Sequence, residues 1–172
     1  MFFIYENTLI RLYALSHEVR FFSLLDNECP SEGTDIVVLP GGYPELYASK
    51  LSKATKFLVY LKKASVIVYA ECGGYMVLSQ LILNSEGSWI MFGAFGVISF
   101  LTTPTLMLYK YCFLVGNKRG VFFGHEFHYY NEMSRSNQNY VYLIRMHDEL
   151  KLAGANTDNM FGGYNHCIGS IR

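Results

Sequence analysis

The stretch Ser65–Leu78, SVIVYAECGGYMVL, decides how this chain reads. Its first half, SVIVYA, is a short continuous apolar run, the pattern of a strand buried in a parallel sheet. Its second half, GGYMVL, opens a helical pattern that continues through SQLIL. Cys72 stands at the junction, with Ala70 two residues before it and Gly74 two residues after it. Strand, sharp turn and helix around one reactive side chain form the layout of a nucleophile elbow. The turn strains the central residue and tolerates little bulk two positions to either side. The start of the helix contributes a partial positive charge that favours a thiolate. The backbone N–H of Gly73 is placed to donate to an oxyanion. A lone cysteine at a strand end is ordinarily a packing residue. The small neighbours and the two flanking elements favour the nucleophile.

The same alternation extends upstream. FFIY opens the chain as a strand, ENTLIRLYAL carries Leu9, Leu12 and Tyr13 on one helical face, and EVRFFSL reads as a strand. TDIVVLP is a second buried strand, and LSKATKFLVYLKKA spaces Leu51, Ala54, Phe57, Leu58 and Leu61 as one helix. This order predicts an α/β fold: an open, mostly parallel sheet with helices on both faces, of the flavodoxin-like kind. The first strand has no lead-in, which suggests a chain trimmed at its N-terminus. Strand-like pieces follow near Phe92–Phe100, Leu106–Val115, Val121–Tyr130 and Tyr140–Met146.

Composition narrows the function classes. At 172 residues the chain predicts a single domain, and a formal net charge of zero gives no reason to expect nucleic acid or an anionic membrane as partner. The four cysteines are scattered, with no Cys-x-x-Cys pair, and no secretory signal opens the chain. Reduced thiols in a cytoplasm are the expectation. Residues 88–109 carry no charge and are long enough to span a bilayer. Two glycines and the Thr-Thr-Pro break instead favour a buried strand, a loop near Thr102–Pro104 and a second strand.

A second loop follows the strand before the elbow: LPGGYPEL, Leu39–Leu46. Ligands of open α/β sheets bind at the carboxyl ends of the strands, where this loop and Cys72 both lie. Gly41 and Gly42 let the backbone approach a substrate and aim an N–H at it. Among the five histidines, His125 and His128 in GHEFHYY are three apart in a strand-like run, which is not a zincin spacing and turns the rings to opposite faces. No metal is expected. His17 and His147 read as surface residues, and Cys29, Cys112 and Cys167 have no activating neighbours.

Taken together, VVLPGGYPELYASKL, VIVYAECGGYMVLSQ and FGHEFHYY resemble the glutaminase domain of cobyrinic acid a,c-diamide synthase, a class I glutamine amidotransferase. The resemblance runs from about Phe2 to the last residues. It implies that Cys72 attacks the side-chain amide of glutamine, that the N–H groups of Gly42 and Gly73 hold the oxyanion, and that a γ-glutamyl thioester is resolved by water. It also implies that ammonia passes to a carboxylate activated by ATP, in cobalamin biosynthesis. The family's catalytic His lies in a Tyr-x-His motif near the C-terminus. GGYNHCIG supplies it here as His166, the candidate base for Cys72, although Ile168 stands where a second His is usual. Tyr43, Glu71, His125 and Glu126 are candidates for the pocket or an interface. LMLYKYC departs from the family's Leu-Gly-Tyr strand, and no G-x-x-x-x-G-K-[ST] occurs, so the family's ATP-binding half is absent. No cofactor is expected on this domain; ATP and magnesium belong to the missing synthetase. The implied partners are glutamine, that synthetase and, through it, a corrinoid. The alternative is a non-catalytic remnant or binding module of the same fold.

Overall fold

The computed structural model describes residues 2–3, 6–15, 17–63, 65–114, 120–134, 139–146 and 149–171. Ile4, Tyr5, Val115 and His147, which the sequence reading placed, lie outside the described residues. Strand β1 (Phe2–Phe3) and helix α1 (Glu6–Ala14) come first. Strands β2 (Ile36–Leu39) and β3 (Gly41–Gly42), helices α2 (Ala48–Leu51) and α3 (Thr55–Lys63), strand β4 (Ile67–Glu71) and helix α4 (Gly73–Leu78) follow. The remainder is β: β5 (Leu81–Asn84), β6 (Gly87–Ile90), β7 (Val97–Leu114), β8 (Val121–Ser134) and β9 (Tyr142–Met146). The chain closes with β10 (Glu149–Ala153), β11 (Ala155–Asn156), β12 (Met160–Gly163) and β13 (His166–Ile171).

The α/β class is the observed one. Strand β4 lies between β2 and β12 and runs parallel to both, with Leu39 opposite Ala70 and Gly163 opposite Glu71. β11 adds an antiparallel edge. Val37, Leu39, Val68 and Ala70 are buried along this sheet, with Phe57 and Leu61 of α3 and Tyr75 and Leu78 of α4 in the same core. The second half of the chain builds a larger, mostly antiparallel sheet in the order β10-β9-β7-β5-β6, with β8 joining β7 to β13. Along β5 and β7, Ile82, Val97 and Ser99 face inward, fully buried. A second core gathers Cys112, Phe122, Val141, Tyr142 and Ile144.

Several local expectations change, each for a visible reason. EVRFFSL forms no strand. The Glu28 carboxylate accepts the Ser23 N–H at 2.7 Å, and the chain turns through a 3₁₀ segment at Leu24–Asp26. The helix expected from Leu51 to Leu61 is two helices broken at Ser52–Ala54, yet of the predicted apolar positions Leu51, Ala54, Phe57 and Leu61 are buried and Leu58 is half-buried. GGYMVLSQLIL is helical only to Leu78. The Ser79 hydroxyl donates to the Met76 carbonyl at 2.6 Å, competing for the backbone, and LILN continues as strand β5. The loop expected near Thr102–Pro104 is absorbed into β7. From Leu101 to Thr105 that strand advances four residues while β8 advances two, from Tyr130 to His128. Pro104 has no N–H for a ladder, and a pairing irregularity is where a strand tolerates it. The uncharged run is therefore β6 and the start of β7. Among the described residues no helix is long and apolar enough to cross a membrane.

Candidate active site

Cys72 sits between β4 and α4 with φ 47° and ψ −107°, a backbone region that side chains rarely adopt. The elbow is held from both sides. The Cys72 N–H donates to the Gly163 carbonyl at 2.8 Å, and the Gly74 N–H donates to the Pro40 carbonyl at 3.0 Å. Glycine is required here by contact rather than by dihedral. A Cβ on Gly74 would stand 2.2 Å from the Leu39 carbonyl oxygen, and one on Gly73 would stand 2.6 Å from that of Gly42. The elbow and the Gly41–Gly42 loop thus touch backbone to backbone. They form one side of an apolar cleft lined also by Leu24, Tyr43, Tyr47 and Val77. Strand β1 pairs antiparallel with this loop, Phe2 opposite Gly42.

His166 reaches the same place from β13. Its strand pairs with β8, with His166 directly opposite His125. Gly124, the first residue of GHEFHYY, makes that approach feasible, since a Cβ there would lie 2.4 Å from the His166 carbonyl oxygen. The imidazole is 9 % exposed. Burial alone would push it toward the neutral form. The nearby Cys72 and Glu71 side chains favour the charged ring, outweigh burial and raise it to about 9. Glu71 is buried beside it, with Oε2 3.6 Å from His166 Nδ1. A Cβ on Gly41 would stand 2.6 Å from His166 Cε1, so the ring also leans on the loop.

The remaining predicted residues separate. His125 stacks on His166 at 5.2 Å between ring centroids, and burial followed by the charge of His166 holds it below the ordinary imidazole range. Glu126 sets its Oε2 3.7 Å from His128 Nε2. Tyr43 is exposed at the mouth of the cleft. His17 is exposed, as expected; of the other cysteines, Cys29 is exposed, Cys112 buried and Cys167 half-buried. Among the described residues no group of three or more His, Cys, Asp or Glu could hold a metal.

The sequence reading missed the layer beneath the site. Tyr164, two residues before His166, packs edge-on to Tyr75 and stacks on His128 at 4.2 Å. Its hydroxyl donates to Ser99 Oγ at 3.2 Å, and the Asn131 carbonyl lies 3.4 Å away. The Tyr75 hydroxyl donates to Glu132 Oε2 at 2.5 Å. Burial raises the Glu132 carboxyl, against the lowering effect of that hydrogen bond. These groups lock the turn that carries His166. The Tyr-x-His spacing was the one sequence signal for them.

Comparison with known proteins follows the same lines. The family model of the CobB/CobQ-like glutamine amidotransferase domain matches residues 2–170. The hydrogenobyrinate a,c-diamide synthase of Rhizobium meliloti (strain 1021) is 36 % identical over 96 % of this chain and 41 % of its own length. The cobyrinate a,c-diamide synthase of Saccharolobus solfataricus is 36 % identical over 87 % of this chain and 37 % of its own. The chain therefore spans about two-fifths of the length of the curated relatives it matches along most of its own. In fold it is similar to a solved glutamine amidotransferase at TM-score 0.64 and 11 % identity, over 96 % of this chain and 86 % of that one. A second, from Thermotoga maritima, gives TM-score 0.65 and 14 % identity, over 92 % and 68 %.

Proposed function

This chain belongs to the CobB/CobQ-like glutamine amidotransferase domain family, and on that premise we propose that it hydrolyses glutamine through Cys72 and supplies ammonia to a synthetase. The observation that carries the proposal is the strained elbow at Cys72 with His166 set against it. The Cys72 thiolate attacks the side-chain amide carbon of glutamine, and the carbonyl electrons move onto oxygen. The N–H groups of Gly42 and Gly73, on backbones already in contact, receive that charge, with Gly41 shaping the loop. Because His166 is raised to about 9, the ring is already protonated at neutral pH. It is therefore set to hand its proton to the departing nitrogen. Ammonia leaves, a γ-glutamyl thioester remains, and water returns glutamate and the free thiolate.

The relatives' names point to the acceptor: a side-chain carboxylate of cobyrinic acid or a related corrinoid, amidated in cobalamin biosynthesis. We assign ATP and magnesium to the synthetase portion and none to this chain, and we place the reaction in the cytoplasm. Glutamate release tests the reading. The wild-type chain should release it slowly, faster with the ATP-binding portion of a cobyrinate a,c-diamide synthase added, and Cys72→Ala not at all. A well-folded complex that releases no more glutamate than Cys72→Ala would leave a non-catalytic binding module as the better reading.

A further inference from the structure

We propose that Glu71, the residue immediately before the nucleophile, is the positioning residue for His166. This deepens the preceding proposal and rests on its reading of Cys72 and His166. None of the five residues that follow His166, CIGSI, is acidic, so β13 supplies no carboxylate for its own imidazole. The acid comes across the sheet instead. The parallel pairing of β12 with β4 sets Gly163 opposite Glu71, and the chain then turns through Tyr164 and Asn165 to bring His166 back over that carboxylate.

Glu71 is only 8 % exposed. A carboxylate taken out of water is costly unless it is paired and hydrogen-bonded. Here both oxygens are engaged. Oε1 accepts the Tyr69 hydroxyl at 2.6 Å and the Cys167 backbone N–H at 3.1 Å. Tyr69 lies two residues earlier on the same strand, so its side chain leaves the same face. With Oε1 held at two points, Oε2 has one direction left, toward His166 Nδ1 at 3.6 Å. That spacing is within ion-pair range and longer than a hydrogen bond, as is common in an unliganded site. Among the described residues Cys72 from the elbow and His125 from β8 also face His166; Tyr69 and Tyr142 are further titratable neighbours of Glu71, and the Cys167 thiol acts on both tyrosines. His125 brings a like charge when protonated. Glu71 is thus the carboxylate that orients the ring and steadies its proton while Cys72 reacts.

Histidine-labelled protein gives the test, followed by NMR across a pH titration with the His166 signal assigned by its loss in His166→Ala. The wild-type midpoint should lie near 9. Glu71→Gln, which keeps the size and removes the charge, should lower the midpoint by about one pH unit or more. Glu71→Asp, which keeps the charge and withdraws it by one methylene, should lower it by less. An unmoved midpoint in folded Glu71→Gln overturns the proposal. If that variant does not fold, an unmoved midpoint in Glu71→Asp does so. Labelling of the same samples with a glutamine-analogue electrophile separates this from the proposed function. A midpoint that falls while Cys72 stays unlabelled removes the glutaminase reading and leaves the Glu71–His166 coupling. Labelling that proceeds while the midpoint stays put removes only the role of Glu71.

Discussion

At φ 47° and ψ −107°, Cys72 occupies a conformation that costs a non-glycine residue on the order of 1–3 kcal/mol. Glycine would relieve that cost and alanine would not. Cys72→Gly should therefore be more stable than Cys72→Ala, by about 1–2 kcal/mol in urea denaturation. Equal stabilities would mean that the elbow is relaxed. Reactivity gives a second check. A glutamine-analogue electrophile should modify Cys72 ahead of exposed Cys29, although exposure alone would favour Cys29; mass mapping after brief labelling decides. His166 gives a pH dependence with a definite sign. Its folded value of about 9 stands above the ordinary 6.5, so folding is favoured by the bound proton. That contribution is complete below about pH 6.5 and is lost as pH rises through about 9. Wild-type protein should lose stability over this window, and His166→Gln should lose less. Cys72 was legible in the sequence because an elbow is a local pattern. His166 was legible only through the resemblance, and its contacts with Glu71 and His125 were not, because they are made by strands far apart along the chain.

Two glycines of the site separate stability from geometry at the level of elements. A methyl on Gly74 would drive α4 off the rigid backbone of β2, 2.2 Å from the Leu39 carbonyl oxygen. Gly74→Ala should cost about 1–3 kcal/mol or prevent folding altogether. A methyl on Gly41 would meet the edge of a side chain, the His166 ring at Cε1. Gly41→Ala should displace the ring, lowering glutamate release far more than the thermal midpoint. Comparing melting temperature with activity for the two variants checks both claims. The parallel strands β2 and β4 were readable from their continuous apolar runs, although only one face is fully buried: Ile36 and Ile67 are exposed and Val38 and Tyr69 half-buried. At two of the missed elements a polar side chain had taken a backbone group: Glu28 at Ser23, and the Ser79 hydroxyl at the end of α4. Such local hydrogen bonds leave the apolar periodicity intact, so periodicity alone cannot reveal them.

For the molecule as a whole, the α/β class followed from the alternation in the first half, whereas the large antiparallel sheet showed only as strand-like fragments. Its partners are set by tertiary register, such as β13 on β8, and no short pattern encodes that. The relatives extend well beyond the matched region, and a glutaminase whose donor loop is fully set at rest would waste glutamine. Addition of a synthetase portion should therefore raise the turnover number more than it changes the glutamine KM; steady-state kinetics with and without it is the measurement. Glu71 and the Cys167 N–H that holds it are 96 residues apart, and β12 completes the parallel sheet beside β4 only when the final strands are in place. Domains emerge N-terminus first during synthesis, at about 5–20 residues per second. The Cys72 thiol is thus made several seconds before the His166 imidazole, and under the proposed function a nascent chain carries its nucleophile unarmed until β13 clears the ribosome.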